Sequence, residues 1–501
     1  MMGEITVVWF MTELTKSPLM VSLVTTAFSV PGFLLALPAG ALGDIFDRRR
    51  LLFYAQSGIA ITIALLAMLT LRGLVGPVVL LISSALCGAF SIISATSSDA
   101  ILPQIVGRRD FSAAIALMGF RYQFVRAIGP ILGGVLIVYA SIGHAFLVCS
   151  VAPFGMLAFL WIWHPTRVTA APPAEHVTAA LRAGIRYLRY APQLTAVMIR
   201  VVAFIGIGSA MWALLPVYVY HQLRLDALQY GILFGCFGVG GMVGSVMAFT
   251  VNRRASEELV LAGSTIVFAL NLFVITHMRS PRSLALTLFV GGVAWSGGMI
   301  NLKTAVQMAA PDWVRARISA IYLLVLNGSI AIGTASWGLV ASYCGTSHTM
   351  QYASVAMVAT LGLGLRYRLA AIATVKRDRS THRLAPIELP VSTPQEGMSI
   401  LLTLEYQIDL QHAEEFEGLM HEVWAIRHRC GVIFWGLFAD DKVVGKYSEY
   451  FVVESAVDAQ RMHERMTNAE REILLRVRAF HANGAPPIVR YQFSVHGFRA
   501  G

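Results

Sequence analysis

Residues 37–52 read LPAGALGDIFDRRRLL, and this stretch decides the fold. Small residues at positions 36, 39, 40 and 43 allow a neighbouring helix to approach closely. Asp44 and the arginines 48–50 then separate this apolar stretch from the next one. Two apolar segments joined by a short basic turn predict two membrane-spanning helices whose connecting loop carries positive charge.

Apolar stretches of the same kind continue on both sides of this turn. A helix needs about 20 mostly apolar residues to cross a bilayer. Eleven segments meet that length: 18–43, 51–71, 76–97, 112–139, 144–163, 193–220, 229–250, 259–278, 284–307, 317–343 and 348–369. Residues Ile5–Met11 are also apolar, but a helix from Met1 to Thr12 rises only about 18 Å. We expect a truncated first helix, which makes twelve; the alternative is a short helix lying in the membrane interface.

The composition agrees with a polytopic membrane protein. Of the 501 residues, 56% are apolar and 13% are charged, which excludes both an ordinary soluble enzyme and a disordered chain. The net charge of +11 divides into +13 over residues 1–370, +1 over residues 371–396 and −3 over residues 397–501. The positive excess therefore belongs to the membrane part, and nucleic acid is excluded as a partner.

The basic residues of the loops orient the predicted helices. Alternate loops, counted from the 44–50 turn, carry 13 arginines, whereas the opposite loops carry five Lys and Arg residues. Cytoplasmic loops retain positive charge. The sequence therefore places the 44–50 turn and the C-terminal residues 397–501 in the cytoplasm.

The apolar part contains an internal repeat. Residues 126–140 (RAIGPILGGVLIVYA) match residues 330–344 (IAIGTASWGLVASYC) at five of fifteen positions, at an offset of 204. We predict two halves, residues 1–163 and 193–370, joined by a basic connection at 164–192. Duplicated six-helix halves with a site between them are typical of secondary transporters.

Four segments carry a resemblance to a known family. The 37–52 stretch resembles the loop 2–3 motif of the major facilitator superfamily, and three further segments resemble its enterobactin-exporter-like, transmembrane secretion effector branch. These are WFMTELTKSPLMVSLV (9–24), RAIGPILGGVL (126–136) and AAPDWVRARISAIYLLV (309–325). The resemblance implies an all-α polytopic membrane protein of the major facilitator fold, in the bacterial inner membrane. It also implies export of a small molecule by alternating access, with the lipid bilayer, the substrate and protons as partners.

The resemblance assigns roles to two motifs. In the family the loop 2–3 motif gates the conformational change, which implies this role for Gly40, Asp44, Arg48 and Arg49. The residues Gly129, Pro130, Gly133 and Gly134 resemble the GPxxGG core of the helix 5 antiporter motif. Paired glycines allow close helix packing, and proline lacks a backbone donor and kinks a helix.

Charged residues inside the spans are further candidates. Arg126 lies about fourteen residues into its predicted helix, and a charge at that depth marks a functional site by default. It either binds an anionic or catecholate-like substrate or pairs with a carboxylate. We also assign Glu13, Arg121 and Lys303 to a substrate or proton pathway; the alternative for the two basic residues, as for Arg200, is to reach towards an interface. Six residues line a cavity or, alternatively, pack in the core: Trp212, Tyr218, Trp295, Asn301, Tyr322 and Asn327.

A soluble domain follows the proline-containing linker 371–396. The alternation predicts strands at 399–409, 432–438, 446–454 and 488–495, and helices at 413–429 and 457–481. This βαββαβ order predicts an α+β, ferredoxin-like domain over residues 397–501. It resembles the antibiotic-biosynthesis-monooxygenase-like module, which implies a homodimer through the sheet. Four residues suggest a redox or haem site, although we favour packing: Trp424, Trp435, His463 and His481.

We predict no enzyme, no catalytic residue, no cofactor and no metal site, because no nucleophile, nucleotide loop or metal cluster is recognisable. Two other functions stay open. One is a membrane sensor that binds ligand without transporting it, and the other is a C-terminal domain with monooxygenase activity.

We expect Asp44→Ala to slow substrate flux through reconstituted vesicles while expression stays near normal. A carboxylate at the membrane edge can cap a facing helix or bind an arginine, and so hold one state of a rocking protein. Unchanged flux would remove the gating role from Asp44.

Overall fold

The computed structural model describes residues 1–45, 47–105, 111–162, 177–251, 255–369, 399–454, 459, 462, 466–481 and 487–494. The chain forms two compact units. The helical unit comprises Met1–His176, Ala196–Gln307 and Ser319–Ala370, and the mixed unit comprises Val177–Thr195, Met308–Ile318 and Ala371–Gly501.

The first half of the helical unit has six helices among the described residues. They are α1 (Met2–Leu14), α2 (Pro18–Ile45), α3 (Arg48–Leu71), α4 (Pro77–Ile105), α5 (Phe111–Tyr139) and α6 (Ile142–Ile162). Helix α1 packs against α2, α5 and α6, and its residues Ile5–Trp9 are buried. The short apolar segment before the first long span is therefore a packed helix and not a free stub.

The second half follows the helix α7 (Val177–Tyr190), which lies in the predicted basic connection 164–192. Its helices are α8 (Pro192–Gly208), α9 (Ala210–Val217), α10 (Ala227–Val251), α11 (Glu257–Ile275), α12 (Pro281–Ala309), α13 (Asp312–Cys344), α14 (Thr346–Ala359) and α15 (Leu363–Arg366). A π-helical turn, Tyr218–Gln222, continues α9. Gly129–Gly134 lies in α5 and its sequence counterpart 333–338 lies in α13, the fifth spanning segment of each predicted half.

All eleven predicted spans fall on helices, but two differ from the prediction. Within the described residues, nine helical segments are long and apolar enough to cross a membrane. The apolar part of α5 that qualifies is the shorter Gln123–Tyr139. The predicted span 348–369 divides into α14, a 3-10 turn at Thr360–Gly362 and α15. Its first turns are rich in hydroxyl, imidazole and amide side chains, which explains why it falls short of the others.

Chain connections alternate between two ends of the helical unit. The ends of α2, α4 and α10 and the beginnings of α3, α5 and α11 share one end, which we call the basic end because the sequence between these helices carries arginines. The α1–α2, α3–α4, α5–α6, α9–α10, α11–α12 and α13–α14 connections share the opposite end.

The mixed unit contains a four-stranded antiparallel sheet. Its strands are β1 (Ile400–Gln407), β2 (Val432–Ala439), β3 (Lys446–Val453) and β4 (Ile488–Phe493), in the order β2-β3-β1-β4. Helices α16 (Ala413–Cys430) and α17 (Asn468–Ala479) bury residues such as Phe416, Val423 and Val477 in the same core as the sheet. The predicted helix 457–481 is too long, because Thr467 caps a new helix through a capping box with Glu470.

A buried ion pair crosses the core of this unit. Glu449 is fully buried and accepts hydrogen bonds from Arg427 Nε (2.8 Å), the Tyr406 hydroxyl (2.9 Å) and Trp435 Nε1 (2.9 Å). Arg427 also lies over the Phe451 ring, 4.3 Å from its centre. A buried charge is tolerated when it is paired and fully hydrogen-bonded. Trp435 is therefore a structural residue, as the packing interpretation predicted.

Candidate functional site

The two helical halves meet closely where α5 crosses α10. A Cβ on Gly134 would lie 2.5 Å from the carbonyl oxygen of Ala227, and one on Gly238 would lie 2.6 Å from Ala127 Cα. A Cβ on Gly231 would collide with the carbonyl oxygen of Pro130. Glycine is required at these positions because backbone faces backbone.

Proline 130 contributes to this contact. Because proline has no N–H, the carbonyl oxygen of Arg126, four residues earlier, loses its helical donor. That oxygen faces Gly238, where a Cβ would lie only 2.6 Å away. Gly129 and Gly133, by contrast, face Met1 and Met2 at the start of α1. The motif on α5 therefore packs against two helices at once.

A second contact between the halves joins α2 to α13. The hydroxyls of Thr26 and Thr334 lie 2.8 Å apart, and Thr26 also donates to the carbonyl oxygen of Ala331 (3.3 Å). A Cβ on Gly32 would lie 2.8 Å from Asn327 Oδ1.

Arg126 lies within the contact between α5 and α10. Its guanidinium carbon is 6.0 Å from the centre of the Trp212 ring, at the outer range of a cation–π contact. Trp212 lies 4.5 Å from Trp295 and 5.7 Å, edge-on, from Phe237. We call Arg126, Trp212, Phe237 and Trp295 the central site: the arginine comes from the first half and the three rings come from the second.

Polar groups adjoin the central site. Gln123, one turn before Arg126 on α5, donates through Nε2 to the carbonyl oxygen of Gly241 (3.0 Å) and to Ser245 Oγ (2.5 Å). Ser296, next to Trp295, lies 3.5 Å from the same nitrogen. The site thus combines a cation, tilted and edge-on aromatic rings, an amide and hydroxyl groups at the interface of the two halves.

A series of rings leads from the central site towards the opposite end. Phe237 is followed along α10 by Phe234 and Tyr230, at centre distances of 5.9 Å each. Tyr230 then stacks on Trp9 at 5.3 Å. Trp9 Nε1 donates to Glu13 Oε1 at 2.6 Å. Glu13 therefore lies beyond the far end of this series, and the structure does not bring it into the central site.

Tyr230, Phe234 and Phe237 were not predicted as site residues from the sequence. Residues 230, 234 and 237 have the i, i+4, i+7 spacing of one helix face, and glycines 231, 235 and 238 have the same spacing one residue later. Helical periodicity alone could have revealed both faces.

The basic turn is only partly described. Gly40 and Asp44 lie in α2, and their side chains fall outside the described part of the structure. Asp47 caps α3 by accepting a hydrogen bond from Arg49 N at 2.8 Å. The Arg49 side chain donates through Nε to the carbonyl oxygen of Leu160 at 2.9 Å. Arg49 thus stabilises the C-terminus of α6, where carbonyls are unsatisfied.

The other predicted residues take different places. Arg121 on α5 and Lys303 on α12 are exposed and lie on the basic side of the central site. Arg200 was expected to reach an interface; it is instead buried and paired with Glu258 at 2.8 Å. Two candidate cavity residues bond to backbone: Asn301 donates to the carbonyl oxygen of Glu257 (3.0 Å) and Tyr218 to that of Met278 (3.3 Å).

In the mixed unit, α7 packs against α16. The ring of Tyr190 lies 5.2 Å from Trp424 and 4.6 Å from His428. His428 Nδ1 donates to the carbonyl oxygen of Trp424 at 2.9 Å. Burial lowers the pKa of His428 below its ordinary value, although the hydrogen bond to Trp424 acts in the opposite direction; the positive charge of Arg186 adds a smaller lowering. A cleft of about 520 Å³ adjoins this contact.

The suggested redox residues do not converge among the described residues. His481 Nδ1 accepts from the backbone N–H of Gln407 at 2.9 Å, and Trp435 bonds Glu449. His463 lies outside the described residues. Within the described part of the chain, no three His, Cys, Asp or Glu side chains could hold a metal ion.

A known family matches residues 1–497, the transmembrane secretion effectors. The chain belongs to this family.

Its similarity to individual relatives is low. The staphyloferrin A transporter of Staphylococcus aureus (strain NCTC 8325 / PS 47) is 22% identical over 358 residues, covering 71% of this chain and 89% of that protein. The enterobactin exporter EntS of Escherichia coli O81 (strain ED1a) is 23% identical over 329 residues, covering 65% and 77%. This transmembrane secretion effector is therefore a membrane transporter, and its relatives are transporters rather than enzymes.

The solved structures agree on the fold. The crystal structure of a bacterial homologue of the iron transporter ferroportin, in the inward-facing state, matches with a TM-score of 0.56 at 13% identity. The match covers 73% of this chain and 95% of that one. At this identity the likeness shows the major facilitator fold alone.

We expect Gly231→Ala to separate the halves at the opposite end, because the added methyl group meets the carbonyl oxygen of Pro130. Spin labels carried on unnatural amino acids at positions 72 and 282 should report a longer and broader distance distribution. Gly263→Ala in α11 is the matched control, since a Cβ there meets nothing within 4 Å. Both substitutions favour the helical conformation by about 1 kcal/mol, so helix propensity does not distinguish the two variants. Identical distance distributions for the two variants would contradict a role of the α5–α10 contact in holding the halves together at the opposite end.

Proposed function

We propose that this transporter exports a small anionic molecule of the siderophore class by alternating access between its two halves. The observation that carries this proposal is the central site, in which Arg126 of one half faces a cluster of rings from the other. A guanidinium binds carboxylate or catecholate oxygens in a planar, two-pronged manner. Indole and phenyl rings give flat apolar surface for the rest of such a molecule.

The relatives support the substrate class. Staphyloferrin A and enterobactin, which name the two relatives compared above, are the compounds we propose to test first. Substrates of this kind offer oxygen donors to Arg126 and flat or apolar parts to Trp212 and Trp295.

The packing of the halves supports alternating access. Close contacts at the opposite end, through α5–α10 and α2–α13, fit a transporter that is sealed there and opens towards the basic end. The loop charges support placing the basic end in the cytoplasm, and with it the C-terminal domain, in a bacterial inner membrane. In this arrangement Asp44, Arg48 and Arg49 control opening at the cytoplasmic end.

We propose the proton gradient as the energy source. Glu13 is the carboxylate we assign to the proton pathway, at the far end of the rings that lead from the central site. Arg121 and Lys303 lie towards the basic end, where they attract an anionic substrate before it reaches Arg126.

We expect Arg126→Gln to reduce the flux of staphyloferrin A or enterobactin into inverted vesicles by about tenfold or more, mainly through a higher KM. Loss of a charge-assisted hydrogen bond has an effect of that size. Arg126→Lys should keep part of the flux, and abolishing the pH gradient should stop it.

Arg72→Gln, an exposed change at the opposite end, is the control for Arg126→Gln. Equal fluxes for these two variants would remove Arg126 from the substrate site. Transport of neither compound by the unaltered protein would contradict the substrate class.

We propose that the C-terminal domain is ferredoxin-like and restrains the connection between the halves. The order β2-β3-β1-β4, with α16 and α17 in the shared core, supports the fold. The rings of Tyr190, Trp424 and His428 support the restraint, because α7 leads through Ala191 directly into α8. A homodimer through the sheet stays a prediction, supported by Phe434 and Phe438, which are 51% and 55% exposed.

We expect Trp424→Ala to release α7 and to raise both its amide hydrogen exchange and the flux by about five- to tenfold, since an aromatic pair contributes about 0.5–1.5 kcal/mol.

Acidification should likewise release α7 and raise its hydrogen exchange and the flux. The pKa of His428 is lowered in the contact, so the docked state loses stability as the pH falls through the ordinary value of about 6.5.

Leu475→Ala, an exposed change on α17, is the control for this release. Unchanged exchange over residues 177–190 in Trp424→Ala would contradict the contact. Faster exchange with unchanged flux would contradict the restraint.

A further inference from the structure

A second cavity lies at the opposite end of the helical unit. It has a volume of about 650 Å³ and is formed by the α1–α2 connection, the turn after α9 and the start of α14. Among the described residues that line it, two are permanently cationic, Lys16 and Arg224, one is His221, and none is acidic. Cavities of this size hold small molecules.

The backbone beneath this cavity is irregular. Tyr218–Gln222 forms the π-helical turn, and Arg224 has a positive φ of 55°. Such turns and left-handed non-glycine residues occur frequently at functional sites. Hydrogen bonds hold the segment in place, from Leu225 N to the carbonyl oxygen of Val219 (3.1 Å) and from Ser347 Oγ to Gln222 Oε1 (2.7 Å).

Among the described residues, neither Lys16 nor Arg224 forms an ion pair with Glu13 or Asp226, the carboxylates nearest to them in the sequence. Glu13 accepts from Trp9 Nε1, and Asp226 accepts from Gln229 N at 2.8 Å at the start of α10. His221 Nε2 is buried and has no hydrogen-bond partner among the described residues. A buried polar atom without a partner is costly, and a bound ligand relieves this cost.

We propose that this cavity is a binding site for a small anion bearing two or more carboxylate or phosphate groups. Lys16 and Arg224 supply the positive charge from two different halves of the transporter, and His221, which also lines the cavity, supplies a polar nitrogen. The site is separate from the central site and does not rest on the direction of transport. Its anion comes either from solution or from a phospholipid headgroup.

Titration calorimetry with citrate tests the proposal on the full-length protein in phosphatidylcholine nanodiscs. We expect saturable binding that weakens about tenfold or more in each of Lys16→Gln and Arg224→Asn. Asparagine is chosen at position 224 because it tolerates a left-handed backbone. Arg282→Gln, an exposed arginine at the same end outside the cavity, should bind citrate as the unaltered protein does.

A second set of nanodiscs containing phosphatidylglycerol distinguishes the two sources. A weaker apparent affinity for citrate there, absent in the Lys16→Gln/Arg224→Asn double variant, identifies a lipid headgroup as the occupant. Unchanged affinity identifies a soluble anion. Absence of citrate binding in phosphatidylcholine, or equal weakening by Arg282→Gln, overturns the proposal. Transport is not measured, so an error in the proposed function leaves this result intact.

Discussion

Backbone-to-backbone packing between α5 and α10 is the contact on which the arrangement of the helical unit depends. In a bilayer there is no hydrophobic driving force between helices, because lipid tails are as apolar as the side chains. Helices therefore associate through close van der Waals packing. Gly134 of α5 and glycines 231 and 238 of α10 allow that approach. Pro130 adds to it, because the carbonyl of Arg126, freed from its helical bond, faces Gly238.

Arginines elsewhere in the chain show what a low-dielectric interior demands of a charge. Arg200 pairs with Glu258, Arg427 pairs with Glu449, and Arg49 binds carbonyl groups at the end of α6. In each case the charge is matched by an acceptor, as the cost of burial requires. Arg126 also has aromatic rings from the other half beside it, and its guanidinium carbon lies 6.0 Å from the centre of the Trp212 ring. An arginine placed among rings between two halves is suited to a partner that arrives and leaves.

Much of this could be predicted from sequence, and the failures have physical causes. The glycines and the proline on α5 predicted a close helix contact, because the effects of these residues on packing are local. The partner surface on α10 was not predicted. Glycine is common in membrane helices, so the glycines of α10 indicated no particular contact until the helix was placed beside α5. Strands of the C-terminal domain were found within two residues. The break before Thr467 was not predicted, because a capping box inside an amphipathic pattern does not change the helical periodicity of the apolar residues. Helix α7 was missed for a related reason: its arginines were counted as loop charge.

The two faces of α10 connect the central site to the close contact between α5 and α10. Residues 230, 234 and 237 carry the rings, and residues 231, 235 and 238, each one position later, carry the glycines. Successive residues on a helix are separated by about 100°, so the two faces are adjacent on one rigid rod. Any slide or rotation of α10 against α5 must therefore move Phe237, and with it the Trp212 contact, relative to Arg126. In the alternating access we propose, a substrate bound between Arg126 and the rings would resist or favour that movement according to how well it fits each arrangement. Such a difference in affinity between two states is what shifts their populations.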